Sequence, residues 1–384
     1  MHEHGGSTLA RQPGGRGARA LYPLKLEPIL VERIWGADRL GRLHGMEHDH
    51  SLHDGARRSA PHAGQRTTPI GESWLLCDDN VVLNGAFAGM RVTEVIAQLG
   101  GDLLGSANLS AYGTKLALMA KFLDAAADLS IQVHPDDAYA LSHEAATGHL
   151  GKAEAWYVLE AEPGARVVWG FRRPMSASEV RSQVADGTLG ASLNHVPVAP
   201  GDVIMNEAGT VHAVGAGLML FEIQQSSDLT YRLYDYGRRD AAGHLRELHL
   251  DKALAVADLR QVDPGAGLGG AVADETAAPA GQADGGWRLL VTTPQFTLES
   301  VIVREAAPPV SSTTAASFDL LVSVMGSVDV EPAPRVEGLT RHEGPVFDVV
   351  RLDRGDAALV PAALGRYRLS GSGEVLRSRV PSGG

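Results

Sequence analysis

The sequence predicts a mainly β protein built as two units, and three observations carry that prediction. Short apolar runs recur between Gly, Pro and Asp at 118–123, 156–159, 167–170, 203–205 and 218–224. Runs of this length and bounding suit a sandwich or small barrel rather than a helical bundle. A segment at 262–286, rich in Ala, Gly and Asp and almost without large apolar side chains, then reads as a linker. Beyond it a second set of apolar runs at 289–291, 296–303, 318–324 and 357–360 predicts another all-β unit. The chain of 384 residues has length for two or three domains, each able to bury a core. The expected division is an extension at 1–20, a main unit at 21–261, the linker at 262–286 and a C-terminal unit at 287–384.

Taken in order, residues 1–20 are polar and Gly- and Arg-rich and are expected to be disordered. They hold no apolar stretch long enough for a signal peptide. The first packed material follows at 21–40. Residues 44–68 carry His44, His48, His50, His53 and His62 among few apolar groups, so a mobile surface loop is expected. Val92, Val95, Ile96 and Leu99 fall at helical spacing and predict an amphipathic helix over 91–104, with further helices at 135–150 and 176–184. The G-x-G-x-x-G string at 265–270 has no strand before it and no amphipathic helix after it, which excludes a dinucleotide site.

Lys plus Arg number 34 against 46 Asp plus Glu, a formal charge of -12. That balance disfavours nucleic acid as a partner, and it requires any bound anion to be held by a local basic cluster. Cys77 is the single cysteine, so an internal disulfide and a Cys-based zinc site are both excluded. No stretch approaches eighteen apolar residues, so no membrane partner is expected and a cytoplasmic location is.

The chemistry concentrates in Ser130-Ile131-Gln132-Val133-His134-Pro135-Asp136-Asp137, Lys152-Ala153-Glu154 and Gly209-Thr210-Val211-His212. On a strand, Gln132 and His134 point to one face while Ile131 and Val133 point to the other. Glu154 precedes an apolar run and His212 ends a turn-rich segment, so both are expected at strand edges. Two neutral imidazoles and one carboxylate, with Gln132 beside them, suit zinc with one position open to water or substrate.

Gly201-Asp202, six intervening residues and Gly209-x-x-His212 resemble the second signature of the cupin barrel, and 154–160 resembles the end of the first. Narrower strings resemble type I mannose-6-phosphate isomerase in its short bacterial form, over about 22–258. They include Arg33-Ile34-Trp35-Gly36, Gly71-Glu72-Ser73-Trp74, Lys121-Phe122-Leu123-Asp124, Gln132-Val133-His134-Pro135, Gly151-Lys152-Ala153-Glu154, Ser227-Asp228-Leu229-Thr230-Tyr231-Arg232 and Arg246-Glu247-Leu248-His249.

The resemblance implies two cupin β-barrels with a small helical insertion. It places Gln132, His134, Glu154 and His212 in the ligand positions of one Zn2+ per chain. It also implies an aldose-ketose isomerase that interconverts mannose 6-phosphate and fructose 6-phosphate through an enediol, with a proton moving between C1 and C2. Lys152, two residues before Glu154, would share its face and orient substrate or shuttle protons; as a base it needs a lowered pKa, which burial beside a dication would give. Asp228 and Arg232 match positions at the open face, where Arg232 offers a cationic fork to the phosphate or the enediolate. Lys121 and Glu72 are candidate substrate contacts. Asp136 and Asp137 are expected to cap the helix that follows Pro135.

Two departures from the pattern matter. Glu207 stands where the signature usually has Pro, as a further carboxylate near His212. In the C-terminal unit the signature recurs from Gly355-Asp356, but Arg366 falls where the metal-binding His would be, so that copy is expected to bind no metal and to serve structurally. The alternatives are a cupin isomerase or epimerase for another sugar phosphate, or a non-catalytic sugar-binding protein with two cupin barrels. Either a monomer or a homodimer is expected.

Overall fold

The computed structural model describes residues 21–45, 69–239, 243–265, 268–269, 282–283, 286–314, 316–333 and 346–382. The expectations for 1–20, for nearly all of the 44–68 loop and for much of the 262–286 linker lie outside the described residues.

The protein is mainly β. A seven-stranded sheet runs in the order Leu268–Gly269, Val203–Asn206, Glu154–Ala161, Leu218–Gln225, Leu118–Asp124, Ile70–Leu76 and Ile29–Ala37. A five-stranded sheet runs Tyr231–Tyr234, Ile131–Val133, His212–Val214, Arg166–Phe171 and Leu193–Pro197. The C-terminal unit is a nine-stranded sheet centred on the long strands Asp319–Pro332 and Arg366–Arg379. Strand pairing in all three is antiparallel, and each sheet is open at its ends, so the expected barrels occur as antiparallel sheets rather than as closed cylinders.

Alternation decides what each face buries. In Leu218–Gln225, Leu218 and Leu220 join Trp156, Val158, Val167, Trp169 and Val214 in one core between the seven- and five-stranded sheets. Met219, Phe221 and Ile223 face the other way. There they pack with Val92, Val95 and Leu103 of the helices and with Phe296, Leu298, Phe318 and Leu320 of the C-terminal unit. The outer face of the five-stranded sheet buries Ile131, Val133 and Leu233 against Val180 and Ala253 of two further helices. The seven-stranded sheet is therefore apolar on both faces, and its polar residues inside the first core mark a departure from the rule.

The helix expected over 91–104 is broken: Gly100 at φ 51 leaves the right-handed region and ends Val92–Leu99, and the helical stretch Gly101–Tyr112 that follows is itself kinked at Gly105, φ 81. The one expected over 135–150 is shorter, Asp137–His143, with Asp136 accepting the Tyr139 amide as its cap. Asp137 does not cap. Its Oδ1 accepts the Gly151 amide at 2.8 Å and the Gln225 side-chain amide at 3.0 Å, tying the loop before Lys152 to a strand. His44 also departs from the mobile-loop expectation: it is half-buried, with Nε2 2.9 Å from Ser73 Oγ.

The two units are not cleanly divided by the 262–286 segment. Strand Leu24–Leu26 pairs with Ala357–Leu359 in the C-terminal sheet, and Lys25 Nζ lies 2.6 Å from Asp356 Oδ2. Leu268–Gly269 pairs with Val203–Ile204, and Gln282–Ala283 with Trp287–Arg288. Tyr157 donates to Glu374 Oε1 at 2.8 Å across the junction. Arg366 is exposed. The buried charges of the C-terminal unit pair among themselves, Arg377 Nε with Glu299 Oε2 at 2.7 Å and Arg379 Nη2 with Asp319 Oδ1 at 2.8 Å. Among the described residues no helix is long and apolar enough to cross a membrane.

Candidate metal centre

Three strands of the five-stranded sheet place the polar residues. Gln132 lies directly opposite His212 on one side and Arg232 on the other, so these three side chains share a face. His134 follows two residues after Gln132 and returns to that face. Across the core, Glu154 opens its strand opposite Asn206 and Gln224 in the seven-stranded sheet. The two sheets bring His134, Glu154 and His212 together, with one ligand atom of each within 4.8 Å of the others, and all three are buried.

Hydrogen bonding fixes both imidazoles. His134 Nδ1 donates to Leu229 O at 2.8 Å and His212 Nδ1 donates to Thr210 O at 2.8 Å. Each ring therefore presents Nε2 as a lone pair. Those atoms stand 3.4 Å from Glu154 Oε2 and 3.2 Å from Glu154 Oε1, respectively. Neither Glu154 oxygen accepts a well-directed hydrogen bond. Four acceptors thus converge in a water-poor site, an arrangement that repels itself unless a cation joins it. The protein supplies one cation directly: Lys152 Nζ is 2.7 Å from Glu154 Oε2 and 3.3 Å from His134 Nε2. The Gln132 amide nitrogen lies 3.4 Å from His212 Nε2, so a flip of this amide would turn its carbonyl oxygen toward the cluster. The donor set of two neutral imidazoles, one carboxylate and one amide oxygen fits a divalent ion.

Electrostatics support this arrangement. Burial and the Lys152 ammonium push His134 down to about 3, so the ring stays neutral and available as a ligand. Burial alone would raise Glu154, but the Lys152 ammonium leads the opposing causes and the carboxyl is held well below its ordinary value. Burial would lower Lys152, yet Glu154 and Glu222 outweigh burial and hold the ammonium above its ordinary value. The expectation of a lowered lysine is not met by the protein's own groups.

Lys121 Nζ sits 3.5 Å from Glu222 Oε1 and 5.4 Å over the Trp74 ring. Glu72 has both oxygens engaged, by Arg33 at 2.7 and 3.1 Å and by Trp74 Nε1 at 2.7 Å. Arg232 is half-buried, its Nη1 donating to Glu247 O at 2.8 Å. Asp228 is exposed and reaches Lys152 only through its charge. Glu207 is exposed.

Sequence reasoning did not single out Glu222 or Asn206. Glu222 is buried, accepts Trp156 Nε1 at 3.0 Å, and is pushed up by burial and by Glu154. Asn206 is fully buried beside Glu154 with both amide atoms unpartnered. The signal was available for Glu222: in 219–224, Glu222 and Gln224 alternate with Phe221 and Ile223, which places two polar groups on an interior face.

Comparison with known proteins gives a consistent result. The family model "Phosphomannose isomerase type I, catalytic domain" matches residues 24–156. The mannose-6-phosphate isomerase of Streptococcus mutans is 37% identical over 238 residues, covering 61% of this chain and 67% of that protein. The Bacillus subtilis mannose-6-phosphate isomerase ManA is 36% identical over 251 residues, covering 62% and 69%. The crystal structure of the mannose 6-phosphate isomerase from Bacillus subtilis superposes with a TM-score of 0.71 at 26% identity, covering 93% of this chain and 99% of that one. A Salmonella typhimurium phosphomannose isomerase structure shares the fold at a TM-score of 0.67 and 16% identity, covering 93% and 98%.

Proposed function

The chain belongs to the type I phosphomannose isomerase family, and from that membership we infer that it interconverts mannose 6-phosphate and fructose 6-phosphate at the site around Glu154. One observation carries the placement: both imidazole Nε2 atoms and both Glu154 oxygens face one another, with each Nδ1 already committed to a backbone carbonyl. His134, Glu154, His212 and Gln132 would hold one zinc ion. Bound there, zinc supplies Lewis acidity toward the sugar oxygens, lowering the cost of the charge that develops in an enediolate.

The chain's own residues do the rest. Isomerisation takes a proton from C2 and returns one to C1 while the oxygens exchange theirs, so the site needs a buried proton-bearing group beside those oxygens. Lys152 has that place, its ammonium 2.7 Å from Glu154 Oε2 and 3.3 Å from His134 Nε2. Lys121 and Glu222, paired inside the same core, sit further along the strand as a charge-balanced wall. Arg232, opposite Gln132, faces the outer end of the substrate, and Asp228 adds negative charge near Lys152 at the mouth. Glu72 acts indirectly, by fixing Arg33 and Trp74. We read each β unit as a cupin-like fold of open antiparallel sheets, with 21–261 catalytic and 287–384 structural and metal-free.

Exhaustive chelation of the purified protein should abolish isomerisation of mannose 6-phosphate, and added zinc should restore it. Activity that survives complete metal removal would sink the metal assignment. Metal analysis of His134→Ala separates loss of the ion from loss of the fold.

A further inference from the structure

Asn206 has no part in the chemistry above, yet it is fully buried beside Glu154 and neither of its amide atoms is hydrogen-bonded. We propose that Asn206 is a positioning residue for the metal centre: its side-chain amide donates to Glu154 when the ion is bound and so holds the carboxylate in its ligating orientation. The proposal rests on the metal reading of the cluster and adds a residue behind the ligands.

The strand ladder puts Asn206 in reach. Glu154 has two direct neighbours in antiparallel pairing, Gln224 on one side and Asn206 on the other. Directly opposed side chains share a face, with Cβ atoms about 4.5–5.5 Å apart. Both neighbours are fully buried, on a face otherwise built from Trp156, Ile204 and Leu220. They differ in what they have left to give. Gln224 spends its amide nitrogen on the backbone, Nε2 donating to Ser227 O at 2.7 Å and to Gln225 O at 3.0 Å. Its Oε1 is an acceptor without a partner among the described residues, so it offers Glu154 only repulsion. Asn206 keeps its donors free, and because neither amide atom is committed, either orientation of the amide can present them.

Glu154 lacks such a donor. Lys152 Nζ stands 2.7 Å from Oε2, whereas Oε1 meets His212 Nε2 at 3.2 Å. That nitrogen carries a lone pair, since Nδ1 of the same ring donates to Thr210 O. A hydrogen bond from an amide to a carboxylate is charge-assisted and short, and rotation of one small side chain closes it. The bond would satisfy a buried donor and a buried acceptor together, each of which is costly to leave alone.

The position of Asn206 in the chain extends the effect to the other ligands. Asn206 is the last residue of strand Val203–Asn206, and the loop to His212 starts with the next residue. Within that loop Gly209 N donates to His134 O at 2.9 Å, and Thr210 O takes the His212 Nδ1 proton at 2.8 Å. One residue before Asn206, Met205 O accepts Trp169 Nε1 at 3.0 Å. Tying Asn206 to Glu154 thus connects the carboxylate in the seven-stranded sheet to the loop that fixes both imidazoles.

The test uses the full-length protein. Asn206→Leu keeps the branched shape and removes both polar atoms, and Asn206→Val does so in a smaller side chain if the leucine variant fails to fold. Zinc affinity is read by competition with a chromophoric chelator, folding of the metal-free protein by denaturant unfolding, and ligand geometry by the visible spectrum of the cobalt(II)-loaded protein. Each variant should bind zinc roughly 10- to 100-fold more weakly than wild type, the scale of losing a partner of a metal ligand, and should shift the cobalt spectrum. The metal-free variants should unfold at or above the wild-type midpoint, because two unsatisfied buried atoms are gone. A folded variant with zinc affinity within about twofold of wild type and an unchanged cobalt spectrum would overturn the proposal. Wild type that takes up no zinc would remove the metal reading itself, and the proposal with it.

Discussion

Glu154 shows how much a single side chain can carry. It is fully buried, it meets both imidazoles, and it is the counter-ion of Lys152. Glu154→Gln keeps the shape and removes the charge. Since losing an outer partner of a metal ligand already costs 10- to 100-fold in affinity, the ligand itself should cost at least about 100-fold, read by metal titration. The same change strands a buried ammonium, so the metal-free variant should also lose about 3–5 kcal/mol of stability in denaturant unfolding. At this scale the sequence was informative where alternation applied. Gln132 and His134, two apart on a strand, could be placed on one face from their spacing. Asn206 could not, because its burial depends on facing Glu154 across a ladder, and the sequence does not state that register.

Elements are held by local devices that sequence shows only partly. Ser176 and Glu179 form a capping box for helix Ala177–Ala185, with Ser176 accepting the Glu179 amide and Glu179 accepting back. Ser176→Ala should cost about 1 kcal/mol, measured as a shift in the unfolding midpoint. Hydrogen bonds from Ser176 hold the Glu179 carboxyl down at about 2, below its ordinary 4.5. The carboxylate's contribution is therefore present above about pH 4.5 and is lost as pH falls toward 2. Amide protection in this first turn, taken relative to the intrinsic exchange rate at each pH, should fall over that window while the centre of the helix stays protected. Gly151 is a second device: an added Cβ would meet Asp136 C at 2.4 Å and Asp137 N at 2.5 Å. Gly151→Ala should cost about 1–3 kcal/mol and shift the loop that carries Lys152, so turnover should fall further than stability does. Helix existence was legible from periodicity, but the break at Gly100 was not. Apolar spacing continues through it, and only the left-handed backbone ends the helix.

At the scale of the molecule, the two β units share one apolar layer. Phe318 of the C-terminal unit is fully buried in the core that also holds Phe221 and Phe122 of the seven-stranded sheet. Phe318→Ala should destabilise by about 3–5 kcal/mol and lower the unfolding midpoint of the site-bearing unit together with its own, seen as one coincident transition by near- and far-ultraviolet circular dichroism. The mainly β organisation was legible from the recurring short apolar runs. The junction was not: a three-residue strand such as Leu24–Leu26 has no period of its own, and its partner lies in the far part of the chain.

That strand has a consequence for the order of events in a cell. Residues 24–26 leave the ribosome early, with their hydrogen-bond partners at 357–359 still untranslated. The first core can collapse around the ligand-bearing strands meanwhile, but the rim of the C-terminal sheet stays unpaired until chain growth reaches those residues. Completion of this enzyme is thus timed by translation, and a nascent chain stalled before residue 357 would display an open sheet edge to chaperones and to its neighbours on the polysome.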